Sequence, residues 1–211
     1  MDQIRGDYPA KLNIDYSEKS NRLTVFFRIF LVIPIFIILI MLLSSGTYNQ
    51  SSSDSSAQMI GGIGFVVVPV VLMILFRKKY PKWWFDWNLS LVKFSVRVVS
   101  YMLFLTDQYP STDEEQAVHL ELKYPHVENE LNRWMPLIKW ILILPHAFIL
   151  FFLYIALWFC TWLAWFAIIF TGKYPKVLFD FVVGVMRWSF RVKAYAVFLI
   201  TDKYPPFSFS E

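Results

Sequence analysis

Followed for its alternation of apolar and polar positions, the chain resolves into long apolar runs separated by short basic or Tyr-Pro turns. Leu12-Asn13-Ile14-Asp15-Tyr16 alternates with a period of two and predicts a short, half-exposed strand. Leu23–Leu43 is then almost wholly apolar and long enough to cross a hydrocarbon core of about 30 Å as a helix. Its one charge, Arg28, lies close enough to the start to snorkel to the headgroups, and Pro34 predicts a kink. Ser44–Gln58 is Ser-rich and predicts a solvated loop. Ile60–Phe76, a second apolar run, closes a hairpin and ends abruptly at Arg77-Lys78-Lys79.

The pattern then changes. From Trp83 to Leu105 the polar residues Asp86, Ser90, Lys93, Arg97 and Ser100 or Tyr101 recur at helical spacing on an otherwise apolar segment, which predicts an amphipathic helix lying in the membrane interface with Trp83, Trp84 and Trp87 near the headgroups. An acidic linker, Asp113-Glu114-Glu115, leads to Val118-His119-Leu120-Glu121-Leu122-Lys123, a second alternating strand.

Much of this order recurs. Asn21-Arg22 and Pro34 match Asn132-Arg133 and Pro145 at one constant offset, and Phe85, Asp86, Lys93, Ser95, Arg97 and Tyr101 match Phe179, Asp180, Arg187, Ser189, Arg191 and Tyr195 at another. Tyr-Pro turns punctuate both copies, at Tyr80-Pro81 and Tyr174-Pro175 before the amphipathic segments and at Tyr109-Pro110 and Tyr204-Pro205 after them. The apolar run Trp134–Phe170 is about twice a spanning length and predicts two spans joined by a short turn near Tyr154–Trp158.

The expected fold is all-α and integral to the membrane. It has two tandem repeats, 1–110 and 111–211, each a transmembrane hairpin (23–43 and 60–76; 134–153 and 156–171) followed by a cytoplasmic amphipathic interfacial helix (83–105; 177–200), with a short β-strand before each repeat. Lys and Arg flank both ends of both hairpins, so the positive-inside rule predicts an inner-membrane protein with both termini in the cytoplasm.

Composition agrees with a membrane protein: of 211 residues 57% are hydrophobic, 19% aromatic and only 17% charged. The formal net charge of +4 is small, and the cations cluster beside apolar segments, a pattern that suits an anionic bilayer surface and excludes nucleic acid. The lone Cys160 forms no intramolecular disulfide and reads as an apolar packing residue.

Phe-Arg-Ile-Phe-Leu-Val-Ile-Pro in the first run, Thr171-Gly172-Lys173-Tyr174-Pro175 through Leu178-Phe179-Asp180-Phe181, and Thr201-Asp202-Lys203-Tyr204-Pro205-Pro206-Phe207 together resemble the duplicated bacterial membrane-protein family of unknown function DUF4389. The C-terminal copy matches best. The first departs with Arg77-Lys78 in place of Thr-Gly and with its serine loop. The resemblance implies the duplicated architecture and no particular activity.

Candidate chemistry is sparse. His119, His126 and His146 lack ligand spacing and a cysteine partner, so no metal or cofactor is expected. Gly61, Gly62 and Gly64 lack the Lys-Ser/Thr of a phosphate loop, and neither a Gly-x-Ser-x-Gly elbow nor a His-Glu-x-x-His helix occurs. The candidate binding residues are Lys93, Arg97, Arg187 and Arg191, placed to meet anionic lipid or an acidic partner, with Asp86 and Asp180 as caps near the helix starts. The expected function is a non-enzymatic accessory or scaffold subunit that holds another membrane or cytoplasmic protein, with self-association left open. The rival is a small transporter or lipid-handling protein whose pathway lies between the repeats.

Overall fold

The computed structural model describes residues 8–17, 20–44, 67, 69–112, 114–125, 131, 132 and 134–210. The Ser-rich loop, the glycines at 61, 62 and 64, His126 and Arg133 lie outside them. The protein is mostly helical with one small sheet, and among the described residues one helix is long and apolar enough to cross a membrane.

Strand β1 (Ala10–Ile14) pairs antiparallel with β2 (Val118–Leu122), Leu12 opposite Leu120. Alternation decides which way each residue faces. Ala10, Leu12, Ile14, Val118 and Leu120 are buried, while Lys11, Asn13, Asp15, His119 and Glu121 are exposed. Two strands alone are marginal in water. These persist because their apolar face is covered by two helices, α2 (Lys82–Met102) and α5 (Lys176–Ala196).

On the far side of α2 and α5 lie the most apolar helices. They are α1 (Arg22–Ser44), α3 (Met135–Leu142) and α4 (Leu144–Thr171). Helix α1 packs on α2 through Ile35, Phe94 and Val98, and α4 packs on α5 through Leu150, Trp188 and Val192. The molecule is therefore three layers deep: sheet, α2 with α5, then α1 with α3 and α4. In the middle layer α5 is buried almost all round, and only three of the residues from Phe181 to Tyr195 escape full burial, Phe181, Arg187 and Lys193, whereas α2 keeps Lys82, Trp83, Asp86, Trp87 and Ser90 exposed.

The apolar run from Trp134 is not a hairpin. No turn forms at Tyr154–Trp158, because Leu153-Tyr154-Ile155-Ala156-Leu157 contains no glycine, proline or side-chain cap to stop a helix. The one joint is at Ile143, ahead of Pro145, and even there Ile143 N–H reaches the Lys139 carbonyl and Ala147 N–H the Ile143 carbonyl. Helix α4 then runs its full 28 residues, about 42 Å at 1.5 Å per residue, to Gly172, whose φ of 72° supplies the left-handed stop. The predicted run to Phe76 ends in a π-helical turn, Met73–Arg77, closed by Lys78 at φ 47°. The amphipathic helices occupy nearly the predicted residues, but they form the middle layer and do not lie as an isolated rim.

Candidate functional site

The buried polar groups concentrate in two equivalent nodes, one in each half. In the first, the guanidinium of Arg28 is 1% exposed despite its place in an apolar helix. It pairs with the Asp107 carboxylate, donates to the Tyr101 carbonyl at 2.9 Å and lies 4.2 Å from the Tyr101 ring centroid. The second oxygen of Asp107 accepts from Asn21 N–H at 2.7 Å, and the Asn21 side chain in turn accepts from Leu23 N–H, so the start of α1 is capped from the far end of α2.

The second node repeats each part. Lys139, fully buried, pairs with Asp202 at 2.7 Å, donates to the Thr201 carbonyl at 2.7 Å and sits 4.9 Å from the Tyr195 ring. Asp202 accepts from Asn132 N–H at 2.6 Å, and Asn132 accepts from Trp134 N–H. Thr106 and Thr201 bond the backbone N–H two residues on, Gln108 and Lys203, at 3.2 and 3.1 Å. The Thr-Asp-x-Tyr-Pro motif is thus a latch that closes the end of α2 onto α1 and the end of α5 onto α3.

The candidate arginines are committed to the protein's own backbone. Arg187 donates from Nε to the Leu12 carbonyl at 2.9 Å and from Nη2 to the Asn13 side chain at 2.8 Å, which pins β1 onto α5. Arg191, buried, holds the C-terminal segment through the carbonyls of Ser208 and Ser210, and burial lowers its pKa from the usual guanidinium value. Arg97 does the same in the first half, reaching the Ser111 carbonyl at 2.6 Å. Lys93 is half-buried on α2. Asp86 and Asp180 are exposed and do not cap their helices; the N-cap positions belong to Pro81 and Pro175, whose carbonyls accept from Phe85 and Phe179 N–H.

The Tyr-Pro turns cross between halves. Tyr16, just beyond β1, donates its hydroxyl to the Tyr174 carbonyl at 2.6 Å and sets its ring edge-on to Phe179. Tyr124, just beyond β2, does the same to the Tyr80 carbonyl and the Phe85 ring. Burial pushes the Tyr80 phenol up to about 12 and that of Tyr174 higher still. Tyr109 packs on Tyr101 and its carbonyl accepts from the Gln116 amide at 2.7 Å. Tyr204 packs on His146 and Tyr195, and Pro110 and Pro205 are buried beneath their turns.

His146 is fully buried, accepts from the Trp188 indole at 3.0 Å through Nδ1 and stacks on Phe207 with centroids 3.9 Å apart. It is a clamp for the C-terminal segment. Among the described residues no three His, Cys, Asp or Glu side chains gather as a metal site. Beside the second node, Pro9, Lys123, Tyr124, Thr201 and Lys203 line a cavity of about 390 Å³ open to solvent.

This second node and its clamp are the part of the chain that comparison recognises. Residues 133–208 match the family described as Domain of unknown function (DUF4389). The DUF4389 match takes in α3, α4, α5, the latch at Asp202 and the C-terminal segment as far as Ser208, one of the two carbonyls held by Arg191. Comparison with curated proteins and with solved structures finds no match.

Proposed function

We propose that this is a non-enzymatic membrane accessory or scaffold protein, built from two copies of a strand, a long apolar helix and an amphipathic helix, that presents its polar sheet to a partner protein. The observation that carries the reading is the division of its surface. Lys11, Asn13, Glu121 and an exposed Asp15–His119 pair face outward from the sheet, while the helices of the opposite layer show large apolar side chains. The equivalent nodes at Arg28–Asp107 and Lys139–Asp202 support the duplication. Basic rims at Arg77–Lys79 and at Lys173 and Lys176 favour the anionic cytoplasmic leaflet, which puts the sheet on the cytoplasmic side.

The test is co-purification from the native membrane with and without Lys11→Ala and Glu121→Ala. Loss of a stoichiometric protein partner from the variant, at unchanged membrane content, supports the reading; a partner retained in full, or none in either preparation, defeats it. The cavity beside Asp202 favours a second reading, lipid handling. That reading expects a co-purified lipid displaced by Lys123→Leu or Lys203→Leu.

A further inference from the structure

The outer surface of the apolar layer carries no exposed charge. Between Leu23 and Ser44 the only charged residue is Arg28, and between Trp134 and Thr171 the only one is Lys139; both are buried in the nodes. What this layer does show is large and apolar, such as Phe30, Ile37, Phe148, Phe159 and Phe170. Only 11% of the most apolar stretch of α4 is buried, so α4 is not the core helix of a water-soluble protein.

If α4 crossed a bilayer, the rest of the molecule would have to go with it. Helix α5 packs against α4 along its length, from Trp188 near Leu150 to Tyr174, just ahead of α5, in one cluster with Ile168. Strand β1 follows α5 over the same length, from Tyr8 at Arg191 through Leu12 at Arg187 to Tyr16 at Phe179. A crossing α4 would therefore carry the sheet into the hydrocarbon at the same depth. There the exposed Lys11, Asp15 and Glu121 and the open outer edge of β2 would meet lipid, which a bilayer core does not tolerate. Turning the layers parallel to the membrane removes every one of these conflicts. The sheet then faces water and the charge-free layer faces acyl chains. The exposed cations at its rims, Arg22, Arg77, Lys79, Lys82, Lys173 and Lys176, meet anionic headgroups.

We infer that the protein is monotopic: α1, α3 and α4 lie flat in a single leaflet, and no described helix crosses the bilayer. The inference rests on the membrane reading proposed above and is independent of any protein partner. In the plane a helix of about 42 Å has no hydrocarbon thickness to match, whereas a crossing of that length would have to tilt or thicken the bilayer.

Phe148, Phe159 and Phe170 stand on one face of α4, each about three turns from the next, and are 68%, 57% and 76% exposed. Each is replaced by cysteine in a Cys160→Ser background and spin-labelled. The full chain is then reconstituted in vesicles of phosphatidylethanolamine and phosphatidylglycerol, and depth is read from collisional relaxation by oxygen and by a polar nickel chelate. We expect all three labels at one shallow depth, about 5–10 Å below the headgroup boundary, and a label at exposed His119 in water. A depth greatest at Phe159 and falling toward Phe148 and Phe170 would overturn the inference in favour of a crossing. Three labels open to the nickel chelate would overturn it in favour of a face turned to water, and three shielded from both reagents would overturn it in favour of a protein covering this face. The scaffold reading fails by a different result, retention of the partner by the sheet variants, so the two failures are distinct.

Discussion

Tyr16 and Tyr174 lie 158 residues apart, yet the hydroxyl of the first donates to the backbone carbonyl of the second at 2.6 Å. Tyr124 and Tyr80 form the mirror contact in the opposite sense. Each half thus lends its strand-end tyrosine to the other half's Tyr-Pro turn, and the halves are interleaved.

This relationship separates two tyrosines that composition treats alike. Tyr16→Phe removes the donor and leaves a buried carbonyl unpaired, so it should cost about 1 kcal/mol, a loss of about 2–4 °C in thermal midpoint. The Tyr174 hydroxyl is buried without a hydrogen-bond partner among the described residues, so Tyr174→Phe should be neutral or slightly stabilising. Equal losses for the two variants, followed by circular dichroism in detergent, would mean that the hydroxyl bond is not what holds the turn.

The nodes give a sharper effect. Asp202→Asn leaves the Lys139 ammonium buried without its counter-charge and should destabilise by roughly 3–5 kcal/mol. Lys139→Arg should cost far less, because Arg28 performs the same task against Asp107 in the first half. If arginine at 139 is as damaging as the loss of Asp202, the nodes are not interchangeable. Denaturant midpoints decide between the two outcomes.

Gly184 is tight for another reason. A Cβ there would lie 2.8 Å from Cβ of Phe209, in the segment that crosses α5. Gly184→Ala should lift that segment and expose it to protease, with an overpacking cost of about 1–3 kcal/mol if it stays. Phe209→Gly in the same chain should restore the thermal midpoint toward that of Phe209→Gly alone. Limited proteolysis with mass spectrometry reads the first effect directly.

Arg191→Gln should free the same segment from the other side, since the carbonyls of Ser208 and Ser210 lose a charged donor. Arg187→Gln should instead loosen β1, seen as faster exchange of the Asp15 amide, which bonds the Ala117 carbonyl across the sheet, with the C-terminal segment unaffected. A variant of either kind that loses only bound anionic lipid, with both segments intact, would assign these side chains to the bilayer.

Local pattern carried much of the fold. The period-two stretches around Leu12 and Leu120 are the two strands, and the polar stripes through Arg97 and Arg191 mark the two amphipathic helices. Pairing at long range was not legible. Arg28 read as a snorkelling end charge because its partner Asp107 lies 79 residues on, and nothing periodic links them. A usable signal was present: a lone cation in the first apolar run of each half and an aspartate in each Thr-Asp-x-Tyr-Pro. The turn expected at Tyr154 failed because a length rule divided a run that local chemistry leaves whole, and the arginine stripes read as solvent- or lipid-facing because their acceptors are backbone carbonyls, which a sequence does not display.

The exchanged tyrosines also order events in time. At about 5–20 residues per second of synthesis, Tyr124 follows Tyr80 by roughly 2–9 s, whereas Tyr174 follows Tyr16 by roughly 8–30 s. The first strand leaves the ribosome before any of its partners exists, while the α1 segment behind it is already apolar enough to seek lipid. Its inward face, Ala10, Leu12 and Ile14, stays uncovered until α5 emerges. This strand is made well before the helix that seals it, and through that interval its inward face is open to pairing with another copy.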